Sequence, residues 1–159
     1  MDGKDAVIRL GISGDNTTRY TNHVTIENCK FNGNYSEGEE VVAVKNYTGG
    51  CKNITIKGCE VNNMHSLAQF KNNDGITIEN CTIKESGRGM SLDASSIASI
   101  SGCTIDVEKY GIRVNASQVR TTTIKDCNIK AFVPVVARSA SANYTFNFDG
   151  KNTMTQTNE

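Results

Sequence analysis

The side chains with chemical potential in this chain of 159 residues fall into two sets. One is made of Glu40, His65, Arg88, Tyr110 and Arg113, scattered over more than seventy positions. Of these, His65 or Tyr110 is the type that accepts or returns a proton, Arg88 or Arg113 the type that neutralises a carboxylate, and Glu40 a second titrating group. The other set is cysteine: Cys29, Cys59, Cys81, Cys103 and Cys127 recur 30, 22, 22 and 24 residues apart, with Cys51 outside the series. No CxxC pair accompanies them, and His23 and His65 stand in unrelated registers, so no metal and no cofactor are expected.

The elements that must position these residues come from the same recurrence. Each cysteine closes a copy of one motif: VTIENCKF from Val24, ITIKGCEV from Ile54, ITIENCTI from Ile76, ASISGCTI from Ala98 and TTTIKDCNI from Thr121. Within a copy, Ile76, Ile78 and Ile83 are apolar while Thr77, Glu79 and Thr82 are polar, the alternation of a half-buried strand. The phase slips once, before the cysteine, where Asn28, Gly58, Asn80, Gly102 or Asp126 stands. These residue types tolerate a left-handed backbone best, so a one-residue corner is expected there. A second apolar run follows a variable loop in every unit: VVAV from Val41, LAQF from Leu67, GMSL from Gly89, GIRV from Gly111 and PVVA from Pro134. VIRL from Val7 reads as the same element of an incomplete leading coil, and YTFNF from Tyr144 as the start of a degenerate last one. A fixed period of this length marks units that bury their apolar faces only by stacking.

Stacking turns the linear scatter into columns. Aligned on the second run, Glu40, Ser66, Arg88, Tyr110 and Val133 share one column, with Glu39, His65, Gly87 and Lys109 beside it. Farther along come Gln69, Ser91 and Arg113, then Lys45, Lys71, Asp93, Asn115 and Arg138. Lys71, Arg88, Tyr110, Arg113 and Arg138 are the expected ligand-binding residues, with Tyr35, Tyr47 or Tyr110 as stacking planes. On the first strands, Thr25, Thr55, Thr77, Ser99, Thr123 and Thr145 form one outward row. Glu27, Lys57, Glu79, Ser101 and Lys125 form the next, a row in which opposite charges meet between coils. The ladder cysteines read as buried thiols filling small slots, although adjacent coils also lie within disulfide reach.

With three short strands per coil of about 22 residues, the chain resembles the right-handed parallel β-helix repeat family, the pectate-lyase-like superfold, over nearly all its length. The expected fold is therefore all-β: a single-stranded right-handed parallel β-helix of about six coils, roughly 25 to 30 Å of stacked sheet, forming one domain over residues 1–159. The resemblance implies a secreted or cell-surface bacterial protein, a scaffold in contact with polysaccharide. Its alternatives are a lyase or glycoside hydrolase acting on uronate-containing glycans, and a structural protein like a phage tail spike. The paired aspartates of β-helical hydrolases, a calcium-holding carboxylate cluster and the Asp-Pro-His-Glu motif of β-helical epimerases are not found, so the binding module is the reading preferred over catalysis by Glu40, His65, Arg88 or Tyr110.

Seventeen basic residues balance seventeen acidic ones, so no global field points to nucleic acid or to an anionic membrane. No apolar stretch is long enough to span a bilayer, and membrane insertion is not expected. The tail KNTMTQTNE shows no capping pattern. An open solenoid end exposes unpaired backbone edges, so the remainder of a longer chain or an oligomer is expected to cover the ends.

Overall fold

The computed structural model describes residues 5–11, 21–46, 50–71, 73–93, 97–114, 120–138 and 144–158. Among them every regular element is a β-strand except one 3-10 turn, Tyr35–Glu37. Tyr47, Asn115 and the start of the last loop therefore lie outside the described residues.

The repeated motif folds as its alternation dictates. Strands β2 (Val24–Glu27), β5 (Lys52–Lys57), β8 (Asp74–Glu79), β10 (Ile97–Ser101), β12 (Arg120–Lys125) and β15 (Tyr144–Asp149) stack in parallel as one six-stranded sheet. Their register puts Ile26, Ile56, Ile78, Ile100, Ile124 and Phe148 in a single inward column. The five isoleucines are buried, and each such side chain contributes about 1.5 to 3 kcal/mol by leaving water. On the outer face the charged row holds as expected and gains Asp149 opposite Lys125, whereas the threonine row ends in Asn147, because Thr123 pairs with Asn147 and Thr145 with Thr121.

Every predicted corner has the left-handed conformation: φ is 54° at Asn28, 59° at Gly58, 51° at Asn80, 60° at Gly102 and 52° at Asp126. Gly150, at 66°, turns a sixth. Asx residues and glycine alternate along this edge for a steric reason. A Cβ placed on Gly58, Gly102 or Gly150 would fall 2.4, 2.3 or 2.2 Å from the side-chain oxygen of Asn28, Asn80 or Asp126 in the preceding coil. Each Asx side chain thus lies across the glycine above it.

Past the corner, each thiol donates to the carbonyl two residues earlier, at 3.3 to 3.4 Å. From Cys59 onward each also faces an isoleucine carbonyl of the coil before, at 3.7 to 3.8 Å. None of the six cysteines is in a disulfide. Four of the five ladder thiols are buried as expected, but Cys29, on the first rung, is only half-buried, since the neighbour that would cover it belongs to no earlier cysteine coil. Burial pushes the Cys59 thiol up, and hydrogen bonding with Cys127 and Cys81, then burial, pushes Cys103 up strongly. Cys51, which no pattern placed, is fully buried in the same core.

The remaining strands form a second, ten-stranded parallel sheet that bends round the solenoid. Its first run holds β3 (Lys30–Asn32), β6 (Glu60–Asn62), β13 (Asn128–Ala131), β16 (Thr153–Gln156) and the leading halves of β9 (Thr82–Asp93) and β11 (Thr104–Val114). Its second run holds β1 (Ala6–Leu10), β4 (Val42–Asn46), β7 (Ser66–Lys71), β14 (Val133–Ala137) and the trailing halves of β9 and β11. The coil closes fewer complete turns than six, because β1 opens one turn and β15 and β16 belong to an unfinished one. The tail is nonetheless structured. Asn152 folds beneath the last coil, its Oδ1 accepting from Cys127 N at 3.0 Å and its Nδ2 donating to Ile124 O and Asp149 O at 3.0 and 2.9 Å, and β16 pairs with β13.

Candidate functional site

The second run of strands sets the positions of the candidate residues. Tyr110 pairs with Arg88 and with Val133, as the column alignment predicts. Ser66, however, pairs with Val42, not Glu40. The ten-residue loop of the first coil absorbs the two residues, and Glu40 stays exposed upstream of the column. Lys45 is also displaced: it pairs with Gln69, leaving Lys71 opposite Asp93. Lys71, the last residue of β7, and Arg138, just past β14, are exposed at the ends remote from His65.

Four successive coils each send one side chain to a common point. Arg88 Nη1 lies 2.8 Å from His65 Nε2. A guanidinium only donates, so Nε2 is the acceptor and the imidazole proton is on Nδ1, which faces Ser66 Oγ at 3.5 Å. The Tyr35 ring meets His65 edge-on, centroids 6.2 Å apart, and the Arg88 guanidinium carbon stands 5.7 Å from the centroid of Tyr110. Tyr35 is anchored by its backbone N donating to Asn63 O at 2.9 Å. Gly87 makes room for it, since a Cβ there would lie 2.4 Å from Tyr35 Cζ.

Charge at this point is tightly set. Burial and then the Arg88 guanidinium hold His65 down to about 4, against a weaker opposing pull from Glu40. The ring is therefore neutral at pH 7. Its basic nitrogen is occupied by Arg88, so His65 takes a proton only if Arg88 moves away. Arg88 Nε is buried with no acceptor, an unpaired donor at the centre of the cluster. Arg113 is spoken for: its Nε donates to Ser91 Oγ and its Nη2 to Asp93 Oδ2, both at 3.1 Å. That pair is mostly shielded from water, at 17 % and 15 % exposure, which makes Arg113 a brace between coils and leaves Arg88 as the cation of the site.

Of the sequence candidates, then, the structure brings together His65, Arg88 and Tyr110, with Tyr35 beside them. It leaves Glu40 at the rim and Lys71, Arg113 and Arg138 apart. Gly87 as the seat of Tyr35 escaped the sequence reading, although a glycine directly before Arg88 is a visible sign of close approach. Among the described residues no group of three or more His, Cys, Asp or Glu side chains is placed to hold a metal ion, and no helix is long and apolar enough to cross a membrane.

A parallel solenoid whose coils repeat a left-handed corner before the cysteine, with an inward column on each sheet, defines the protein class. The right-handed β-helix region family matches residues 8–150, and the chain belongs to that family. No curated protein and no solved structure matches it.

Proposed function

We propose that this β-helix module contacts polysaccharide through the surface formed by Tyr35, His65, Arg88 and Tyr110, as a scaffold in a secreted or cell-surface bacterial protein. The observation that carries this reading is the convergence of one polar or aromatic side chain from each of four successive coils. Rings and a forked donor on one rigid face suit the apolar faces and hydroxyls of sugars. The bacterial, extracellular setting follows from resemblance to the superfold. Binding is favoured over lyase or hydrolase chemistry because His65 Nε2 is engaged by Arg88, and Glu40, a carboxylate that acts on the ring, stays at the rim.

The test is a glycan array with the intact protein, run beside an assay for unsaturated products on uronate polymers. Binding that Arg88→Ala and Tyr110→Ala each abolish, without new absorbance, is the expected result. New absorbance from the parent protein, lost in His65→Gln, would replace the module with a lyase.

A further inference from the structure

A cleft of about 670 Å³ adjoins this surface, where the first run of the large sheet bends into the second. Its presence traces to two opposed irregularities. Between Ile83 and Ser86 strand β9 carries one residue more than β11, and between Val107 and Tyr110 β11 carries one more than β9. The extra residue of β9 is Glu85, held at φ 50° although it is neither glycine nor asparagine. The equivalent corner one coil earlier uses Asn63, at 53°, for which that conformation is cheap. Bulges re-aim side chains and recur beside binding sites.

What they aim here is a set of matched charges around an apolar floor. Val107 and Phe132 give the lining its apolar part, Lys84 and Glu85 of β9 and Glu108 and Lys109 of β11 its charges. Lys130 and Asp106, also at the cleft, neutralise one another at 3.1 Å. The lining thus holds three cations and three anions, and a net anion or net cation gains little from it. A ligand with both charges around one apolar body meets partners of both signs.

We infer that this cleft binds a zwitterion with an apolar or aromatic group, the chemistry of a free apolar amino acid. The ammonium pairs with Glu85 or Glu108, the carboxylate with Lys84 or Lys109, and the side chain lies against Phe132. The cleft shares no lining residue with Tyr35, His65, Arg88 and Tyr110, although the charge of Lys109 also reaches His65.

The experiment is an amide-resolved NMR titration of the intact protein with three probes: phenylalanine, phenethylamine, which keeps only the ammonium, and 3-phenylpropanoate, which keeps only the carboxylate. Phenylalanine should shift amides at Glu85, Val107, Lys109 and Phe132, with each single-charge probe weaker by about tenfold. Replacing Lys84, Glu85, Glu108 and Lys109 together by Gln should abolish the difference between probes, while Arg88→Ala leaves it intact. Phe132→Leu should weaken all three and retain the fold. Equal binding of the three probes, shifts confined to other surfaces, or no shifts up to the solubility limit of phenylalanine would overturn the assignment.

Discussion

Two edges of the same solenoid obey different rules. Along the corner edge each coil copies the one two steps before it, down to the alternation of Asx and glycine and the thiol donating to its own strand. Along the edge that carries His65 no coil copies its neighbour: the column reads Val42, Ser66, Arg88, Tyr110, Val133. A repeat is retained where every coil meets the same neighbours and any departure strains two interfaces. It lapses where loops enter and the constraint is one-sided. Regularity here marks what holds the coils together, and the lapses mark where a ligand contact or a cleft has formed.

Substitutions separate the two edges by size of effect. Gly102→Val forces a β-branched residue into φ 60° and drives its Cβ into the Asn80 oxygen, and should cost about 3 kcal/mol in urea unfolding. A loss below about 1 kcal/mol would mean that the corner relaxes and that its regularity carries little stability. On the irregular edge, Asp93→Ala leaves the mostly shielded Arg113 without its carboxylate and with only the Ser91 hydroxyl as acceptor, and should cost about 1 to 2 kcal/mol. No loss there would return Arg113 to the pool of ligand-binding cations.

The third effect depends on pH. His65 is held near 4 in the folded chain, below its ordinary 6.5, so between those values the unfolded chain binds more protons. Stability from keeping this ring neutral is complete above about pH 6.5 and is lost as pH falls toward 4. His65→Gln should flatten the melting temperature over that window, and an unchanged slope would place the titrating group elsewhere. The smallest effect belongs to the exposed row of charges. Lys57→Ala removes the 3.1 Å pair with Glu27 and should shift stability by only a few tenths of a kcal/mol. Any change in glycan binding from that variant would show that the polysaccharide surface extends to the other sheet.

The corner edge was legible in the sequence because local chemistry decides it: alternation names the strand, and the residue before each cysteine names the turn. The register of the second strands was less so. Loop lengths between Cys29 and Val42 and between Cys59 and Ser66 differ, and only three-dimensional pairing shows that the longer one moves Glu40 out of the column. Contacts such as Arg88 with His65 depend on rotamers that periodicity does not encode. The cleft was invisible for a related reason, since two bulges of opposite sense cancel in the length of the coil. The start of the last coil at Tyr144 was legible, but the order of the tail was not, because Asn152 holds it to the preceding coil by its side chain, a device with no periodic signature.

The overlap of each Asx oxygen with the glycine above it also fixes the unit in which this solenoid can be shortened or lengthened. Excising residues 29–58 would bring Asn28 beneath Asn80, so that a Cβ occupies the place of a hydrogen. Excising 29–80 would bring it beneath Gly102 and restore the fit. On this edge only the loss or duplication of coils in pairs keeps the Asx–glycine fit, so the unit that preserves it is twice as long as the visible repeat.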